Sequence, residues 1–464
     1  MNNSEEKISR ICKIEVRKLF GIFDHVIPIP TDERIKIITG PNGYGKTIIL
    51  SMINGLFARN YSVFWSVPFD QFNIEFENGD RLQLSREVLP TTRRLKEDKT
   101  SYEIVISYFS KVNPKKTLPP YILQSIDQLE VTFPLEMVDE IIPELTRNGP
   151  NRWTDMNTDE TLTLYEVVTR YGDRIPSRFT EPNKIISEPD WFTSLKERLN
   201  VRFIQTERLR GYNPVRSRRR RFEEDDRLAF SVTKYSRELA RSLQEKLAQY
   251  GSFSQSLDRS LPTRLLNHEY LTEIADKDIK ERWDKLEKTR EELIDNGLLP
   301  KEENPFDSRA LENMDEMDRR ILSVYVKDIE SKLNVFIDLN VKIKLFLKIV
   351  NSKFLHKKMF IDSEQGFLFK VSEQEILPSF RLSSGEQHEI VMLYELLFKV
   401  PSNSLILIDE PELSLHVFWQ QKFLEDLNEI TSISNFDVLI ATHSPEIIQN
   451  RWDLAVELKG PGDD

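Results

Sequence analysis

The sequence predicts an α/β protein that combines a phosphate-loop core containing a mixed sheet, an antiparallel β subdomain and an inserted α-helical arm. Three observations predict this class. A glycine-rich loop at residues 40–47 stands between a short apolar run and a helix-like segment. Two later apolar runs, residues 405–408 and 436–441, end in polar residues, as buried parallel strands do. A charged stretch with helical spacing of its apolar residues lies between these parts.

The length and composition are those of a globular protein with more than one domain. A chain of 464 residues, 39% of them hydrophobic, is long enough for two or three cores. We expect an arm at residues 216–335, between an N-terminal part at 1–215 and a C-terminal part at 336–464. These two flanking parts together carry the phosphate-binding core.

The cysteine count and the hydropathy predict a cytoplasmic location. Cys12 is the single cysteine, so neither an intramolecular disulfide nor a zinc site of the CxxC type can form. The first ten residues are polar and acidic without a following apolar run, and no stretch approaches the roughly 18 apolar residues of a membrane span. We therefore expect no signal peptide and no membrane partner.

The loop GPNGYGKT predicts an ATP site. Residues 35–39 form the expected strand before it and residues 47–56 the expected helix after it, which argues against a chance glycine-rich match. Backbone N–H groups of such a loop surround phosphates, Lys46 reaches the outer phosphates, and the Thr47 hydroxyl binds Mg²⁺. The remaining phosphate-binding candidates are Gly40, Pro41, Asn42, Gly43, Tyr44 and Gly45.

A second apolar strand ends in two acids. Residues 405–408 deliver Asp409 and Glu410 to the carboxyl end of a strand, where open α/β sheets bind their ligands. Asp409 is the candidate Mg²⁺ partner, acting through water. Glu410 is the candidate base that orients or activates the attacking water. The alternative is a strand that ends in two solvated acids.

The segment LSSGEQ predicts a helix N-terminus that can face an anion. Ser383, Ser384 and Gly385 precede a helical stretch at residues 386–400, whose free N–H groups and dipole favour negative charge. The alternative is an ordinary N-cap at Ser384 with Gln387 completing a capping box, and both interpretations can hold at once.

His443 follows the apolar run at residues 436–441 and so also lies at the end of a strand. It is a candidate to contact the terminal phosphate or to hold the water. The alternative is a histidine satisfied at the surface or in the core.

Taken together, GPNGYGKT, LSSGEQ, DEPELSLH and ATHSPEII resemble the motifs of soluble ABC-type ATPases of the SMC and RecF kind. The resemblance is greatest to bacterial OLD-type ATPases and to anti-phage ATPase subunits of the Septu and PARIS type, and it covers residues 11–56 and 378–450. It implies that Ser383, Ser384, Gly385 and Glu386 cap the nucleotide of a neighbouring subunit. Two chains placed head to tail would then close two sites, with Lys46, Glu410 and His443 as catalytic residues.

The resemblance also implies a glutamine that contacts Mg²⁺ within the strand predicted at residues 201–209. Gln205 and Glu207 lie two apart and share one strand face, so either could serve. Gln205 is favoured as the metal ligand, because a further carboxylate beside Asp409 would add negative charge.

The residues between the glycine-rich loop and the LSSGEQ segment are predicted to form a sheet first and helices next. We expect a hairpin at residues 72–84 and a strand at 101–109. Leucines at helical spacing then indicate a compact arm that prolines interrupt, and strands return at 341–347 and 359–371 with a turn at Gly366. The residues that define the arm are Leu239, Leu243, Leu247, Leu286, Leu293 and Leu298, with Pro262, Pro300 and Pro305 as the interruptions.

A basic cluster leaves two interpretations open. It could hold a nucleic-acid backbone or an acidic partner, or it could pair with the adjacent acids at residues 223–226. The net charge of −11 and the lack of interleaved aromatic residues favour pairing. The cluster comprises Arg216, Arg218, Arg219, Arg220 and Arg221.

Three functions fit these observations. The first is an ATP-hydrolysing sensor and scaffold subunit of a bacterial anti-phage system that controls a separate nuclease or toxin, because too few residues follow His443 for an OLD-type nuclease domain. The second is a DNA-repair ATPase of the RecF or SMC kind that acts on DNA directly. The third is an ATP-dependent oligomeric scaffold with little turnover.

Overall fold

A computed structural model of the chain shows an α/β protein that divides into two compact units, residues 1–220 with 400–464, and residues 221–399. The second unit extends beyond the arm that we expected at 216–335 and includes the LSSGEQ segment. Within the described residues, no helix has both the length and the apolar character needed to cross a bilayer. The structure describes residues 10–30, 32–58, 61–88, 102–111, 118–123, 135, 138, 142–149, 152–156, 161–164, 167, 171, 188–205, 224–266, 276–301, 316–372, 375–413 and 415–461.

The described strands and helices are numbered in chain order. The strands are β1 Ile11–Leu19, β2 Phe23–Pro28, β3 Ile35–Thr39, β4 Gln71–Phe76, β5 Arg81–Val88, β6 Tyr102–Phe109, β7 Tyr121–Leu123, β8 Leu145–Gly149, β9 Arg152–Asp155, β10 Thr161–Thr163, β11 Asn200–Gln205, β12 Lys358–Asp362, β13 Gly366–Lys370, β14 Ile376–Leu377, β15 Ser404–Asp409, β16 Asp437–Ala441 and β17 Ala455–Glu457. The helices are α1 Lys46–Phe57, α2 Ser62–Ser66, α3 Asp190–Arg198, α4 Glu224–Leu266, α5 Asp276–Asp295, α6 Glu316–Leu333, α7 Ile337–Lys353, α8 Ser384–Tyr394, α9 Val417–Gln420, α10 Phe423–Ser434 and α11 Pro445–Ile448.

A five-stranded sheet in the order β11-β15-β16-β3-β17 forms the centre of the first unit. The described pairings of this sheet are parallel throughout, whereas the sequence predicted a mixed sheet for the core. The register brings the carboxyl ends of its strands level: Asp409 is the pairing partner of both Gln205 and Ala441, and Ala441 pairs with Ile38. Four strands from separate parts of the sequence therefore present their ends at one edge.

A second, antiparallel sheet in the order β2-β1-β4-β5-β6-β7 supplies the predicted β subdomain. The expected hairpin is confirmed as β4 and β5, and the expected strand at 101–109 is confirmed as β6. Alternating apolar residues of this sheet, including Ile14 and Phe72, share one core with α1 residues such as Leu50. The same core reaches Leu407 and Leu439 of the parallel sheet. A third sheet in this unit, β10-β9-β8, surrounds a smaller core around the buried Trp153.

The second unit is mainly helical. Leu239 and Leu243 on α4 and Leu293 on α5 are buried, as their spacing predicts. Pro262 does not interrupt the arm as expected, because it lies inside the 43-residue α4. The end of that helix is held by Arg264, whose guanidinium donates to both carboxylate oxygens of Asp328 at 2.7 and 2.6 Å.

One expected strand in this unit is a helix. Residues 341–347 belong to α7, whose buried residues Leu339, Ile343, Phe346 and Val350 follow spacings of three and four. The predicted hairpin that follows is confirmed as β12 and β13, with its turn ending at Gly366. Gly366 has a φ of +84°, and a Cβ there would lie 1.9 Å from the backbone oxygen of Ser236, so only glycine fits.

Candidate nucleotide site

The glycine-rich loop joins β3 to α1, as the sequence predicts. Its last glycine, Gly45, is the N-cap of α1 and has a φ of 91°. A Cβ on Gly45 would lie 2.4 Å from the Leu19 side chain, which belongs to β1. The close approach of β1 and the left-handed backbone both require glycine at this position.

Lys46 is the first residue of α1 and directly follows Gly45, the last glycine of the loop. The Lys46 Nζ donates to the carbonyl oxygens of Gly40 and Pro41, at 2.6 and 3.1 Å. The ammonium group therefore lies across the loop, while the first turn of α1 directs its N–H groups and positive dipole end toward the same space. Groups of this kind can hold phosphate oxygens.

Thr47 and Asp409 form an oxygen pair that suits Mg²⁺. The Thr47 Oγ1 donates to the Asp409 Oδ1 at 3.1 Å, although 362 residues separate them in sequence. Burial, together with the neighbouring carboxylates of Glu410 and Glu412, raises the pKa of Asp409 to about 6, and the Thr47 hydrogen bond offsets only part of this. An ionised Asp409 would therefore gain from a cation beside it. The backbone of Gln205, the favoured glutamine, lies next to Asp409 in the sheet register.

The described residues contain no cluster of three or more His, Cys, Asp or Glu side chains able to hold a metal ion alone. This donor set fits Mg²⁺, which commonly uses one or two protein ligands and completes its shell with water and nucleotide phosphates. Glu207, the other candidate from the same strand, lies outside the described residues.

Glu410 adopts a left-handed backbone directly after β15. Its φ is 44°, and its N–H donates to the Ala441 carbonyl at 2.8 Å. A non-glycine residue held in this region costs about 1–3 kcal/mol, and such residues cluster at functional sites. The strained turn therefore supports Glu410 as a candidate site residue.

His443 lies beside two acids after β16. Its Nδ1 is 3.7 Å from a carboxylate oxygen of Glu410 and 3.1 Å from the Oε1 of Glu412. The side chain of His443 is 48% exposed, so the ring remains accessible. The structure thus brings together Glu410 and His443, which the sequence singled out separately.

Glu412 is the site residue that the sequence interpretation did not single out. Its side chain is only 7% exposed, and it accepts hydrogen bonds from the backbone N–H of His443. The available signal was an acid two residues after Glu410, within the DEPELSLH motif. Ser414 of the same segment lies outside the described residues.

An aromatic group supports the loop from the side of β2. The Phe23 ring lies 5.1 Å from that of Tyr44 and stacks on that of His25 at 5.5 Å. A ring nitrogen of His25 lies 2.9 Å from the Tyr44 carbonyl oxygen, while burial lowers the pKa of His25. These contacts fix the backbone of the loop at Tyr44.

The LSSGEQ segment starts α8 in the second unit. The N-cap is Ser383, not Ser384 as expected, and its capping box uses Glu386, not Gln387. Glu386 accepts from the Ser383 N–H at 2.9 Å and from Lys357 at 2.8 and 2.7 Å. Hydrogen bonds to Lys357 and Ser383 together lower the pKa of Glu386 despite its partial burial.

Gln387 is instead buried and supports the backbone before α8. Its amide donates to the carbonyl oxygens of Phe380 and Leu382, at 3.1 and 2.9 Å. Ser384 is exposed, and a Cβ built on Gly385 meets nothing within 4 Å. The helix N-terminus at Ser384 and Gly385 is therefore accessible, whereas Glu386 is held by its capping contacts.

Below this terminus, a buried ion pair between Lys353 on α7 and Glu389 anchors α8. The side chains are 1% and 0% exposed.

The arginine cluster Arg216, Arg218, Arg219, Arg220 and Arg221 lies outside the described residues.

Comparisons with known proteins place most of the chain in one protein family. The family described as "AAA domain, putative AbiEii toxin, Type IV TA system" matches residues 35–449. Protein ea59 of Escherichia phage lambda is 34% identical over 92 residues, a match that spans 20% of this chain and 15% of the length of that protein.

Two solved structures show a distant similarity. One is the Smc head domain with an extended coiled coil bound to the C-terminal domain of ScpA, derived from Pyrococcus furiosus, with 12% identity, a TM-score of 0.31 and coverage of 97% of this chain and 94% of that one. The other is the SmcHead bound to the C-winged helix domain of ScpA, with 10% identity, a TM-score of 0.32 and coverage of 95% and 91%.

Proposed function

The chain belongs to this AAA-domain family, and on that premise we propose that it binds ATP with Mg²⁺ and hydrolyses the terminal phosphate. The observation that carries the proposal is the contact of Thr47 with Asp409, 3.1 Å apart at the shared edge of the parallel sheet. It joins the end of the phosphate loop to the strand that carries both acids. A structural hydrogen bond alone does not explain why a phosphate cradle, a raised carboxyl pKa and a second acid coincide there.

Binding starts with the phosphates. The Lys46 ammonium group exchanges the carbonyl oxygens of Gly40 and Pro41 for phosphate oxygens, which carry more negative charge. The N–H groups of residues 43–47 add hydrogen bonds to the same phosphates. Thr47, Asp409 and Gln205 would hold Mg²⁺, which when bound neutralises charge on the phosphate oxygens.

Hydrolysis depends on Glu410 and His443. Glu410 orients the attacking water and accepts its proton, while His443 contacts the terminal phosphate or the water. Their separation of 3.7 Å allows both side chains to reach one water molecule. The leaving group is ADP, and the product is inorganic phosphate.

A second copy of the chain completes the site in this proposal. Ser384 and Gly385 present free N–H groups at an accessible helix end, which suits the terminal phosphate bound by another chain. Each chain carries one phosphate loop and one such helix end. Two copies placed head to tail therefore close two sites, and hydrolysis opens the pair.

The Glu410→Gln variant tests this function. We expect turnover to fall by about 100- to 10,000-fold while ATP binding is retained, because the base is lost and the cradle is not. In ATP, the variant should also show twice the monomer mass by light scattering. Ser384→Arg should abolish both turnover and the doubled mass. Unchanged turnover in either variant, or full activity of a strictly monomeric preparation, contradicts the proposal.

We propose that the biological role is that of a cytoplasmic sensor and scaffold subunit in anti-phage defence, which controls a separate nuclease or toxin. The family description names a type IV toxin–antitoxin system, and the motifs resemble those of defence ATPases. When the Glu410→Gln chain is purified from its native host in the presence of ATP, the separate nuclease or toxin should be recovered with it. Recovery of the ATPase alone, with turnover stimulated by DNA, would instead favour direct action on DNA. A wild-type rate as low as that of Glu410→Gln would favour an oligomeric scaffold.

A further inference from the structure

We propose that Glu412 is a positioning residue for His443: it fixes the proton of that ring on Nδ1 and leaves Nε2 for the reacting groups. This inference rests on the proposed function and deepens it. One oxygen, the Glu412 Oε1, lies 3.2 Å from the backbone nitrogen of His443 and 3.1 Å from its Nδ1. Two groups of the same residue converge on one acceptor, which restricts the side-chain torsions of the histidine.

The chemistry of these groups sets the tautomer. An ionised carboxylate only accepts hydrogen bonds, so the histidine nitrogen that faces it must carry the hydrogen. The same Nδ1 lies 3.7 Å from Glu410, beyond hydrogen-bond distance. Glu412 is therefore the nearer acceptor, and Nε2 is the ring nitrogen available to a phosphate oxygen or to water.

The burial of Glu412 favours a role beyond holding a turn. Its Oε2 is buried without a hydrogen-bond partner among the described residues. Such an unsatisfied polar atom costs about 1–3 kcal/mol, so an apolar side chain of similar size would suit the fold better. A carboxylate retained at this cost is explained by what its other oxygen does for His443.

Gln420 holds the backbone of Glu412 in place near His443. Its amide nitrogen donates to the carbonyl oxygens of Glu412 and Leu415, both at 3.1 Å. Its oxygen accepts from the Ser444 hydroxyl at 3.3 Å. One buried side chain thus ties the turn that carries Glu412 to the residue that follows His443.

The test compares two substitutions in the full-length chain. Glu412→Leu retains the bulk and removes the acceptor, whereas Glu412→Gln retains an amide oxygen that can accept from the same groups. We expect Glu412→Leu to lower kcat by about 10- to 100-fold with little change in the Kd for ATP, and Glu412→Gln to restore most of kcat. Glu425→Gln, an exposed acid on α10, is the matched control and should behave as the unmodified chain.

A spectroscopic reading tests the same inference without ATP turnover. In protein labelled with ¹⁵N-histidine, with the signals assigned by His443→Gln, the unmodified chain should show hydrogen on Nδ1 of neutral His443. Glu412→Leu should lose this preference. The inference is overturned if the unmodified chain carries the hydrogen on Nε2, or if Glu412→Leu keeps both the signature and kcat.

The two failures are distinguishable. Absence of ATPase activity from the unmodified chain, with the Nδ1 signature present, contradicts the proposed function and leaves the tautomer assignment supported. Normal dependence of turnover on Glu410 with no effect of Glu412→Leu contradicts only the positioning role. Should Glu412→Leu fail to fold, the signature of the unmodified chain and the kcat of Glu412→Gln decide the matter.

Discussion

Replacing Asp409 by asparagine should stabilise the nucleotide-free protein while it removes Mg²⁺ binding. Burial and the adjacent carboxylates raise the pKa of this group from 3.8 to about 6. Each pKa unit corresponds to about 1.4 kcal/mol, so the ionised carboxylate lowers the free energy of unfolding by about 3 kcal/mol at neutral pH. Asparagine carries no charge and can still accept the hydrogen bond of Thr47.

The sign of the pH dependence follows from this shift. At pH values well below 3.8 the carboxyl group is protonated in both states and carries no penalty. Between 3.8 and about 6 the unfolded chain loses its proton first, so the stability of the wild type falls as pH rises; above that range the penalty is constant. The advantage of Asp409→Asn should be about 1 kcal/mol at pH 4.5 and about 3 kcal/mol at pH 7.5.

Urea unfolding in EDTA, followed by tryptophan fluorescence, measures this difference. Every tryptophan except Trp283 lies in the unit that holds Asp409, so the signal reports mainly on that unit. Asp437→Asn is the matched control: Asp437 accepts from two nitrogens of Arg10, each at 2.7 Å, so its loss should destabilise the unit. Mg²⁺ with ATP should stabilise the wild type and not Asp409→Asn. A variant less stable than wild type at pH 7.5, or an advantage that does not shrink at pH 4.5, refutes the reasoning.

Three further predictions concern the supports of the site. Lys353→Met should cost the second unit about 3–5 kcal/mol in urea unfolding because it leaves the buried Glu389 carboxylate without its ion-pair partner, while Lys353→Met with Glu389→Leu should recover most of the loss. Ser383→Ala should cost about 1 kcal/mol by removing the N-cap, whereas Ser384→Ala should keep the unfolding midpoint and reduce ATP turnover. Gly45→Ala should weaken binding of a fluorescent ATP analogue, because its new methyl group enters occupied space at a φ of 91°; an unchanged Kd would contradict this.

Local patterns predicted the elements that surround the nucleotide site. The strand before the glycine-rich loop, the helix after it and the strand that ends at Asp409 are all confirmed, because each pattern is contained in a few consecutive residues. Residues 341–347 were misassigned because valine, isoleucine and leucine alternate there as in a strand. The burial pattern over the whole of α7 has helical spacing, and packing within the second unit decides the outcome.

Pro262 likewise shows that a local pattern does not always decide where a helix ends. Its fixed φ and missing N–H predict an interruption, yet α4 continues to Leu266. The contact of Arg264 with Asp328 comes from another helix and stabilises this last turn, so no local pattern could reveal it.

The residue types proposed to bind phosphate, and the strands and helix that present them, could be predicted from the chain's local patterns, since these depend on backbone geometry over a few residues. Which of these residues meet depends on the folded arrangement. The parallel register sets Gln205, Asp409 and Ala441 side by side, and the turn after β15 places Glu412 against His443. Contacts of this kind depend on the pairing of distant strands, and strand order and register are set by packing of the common core.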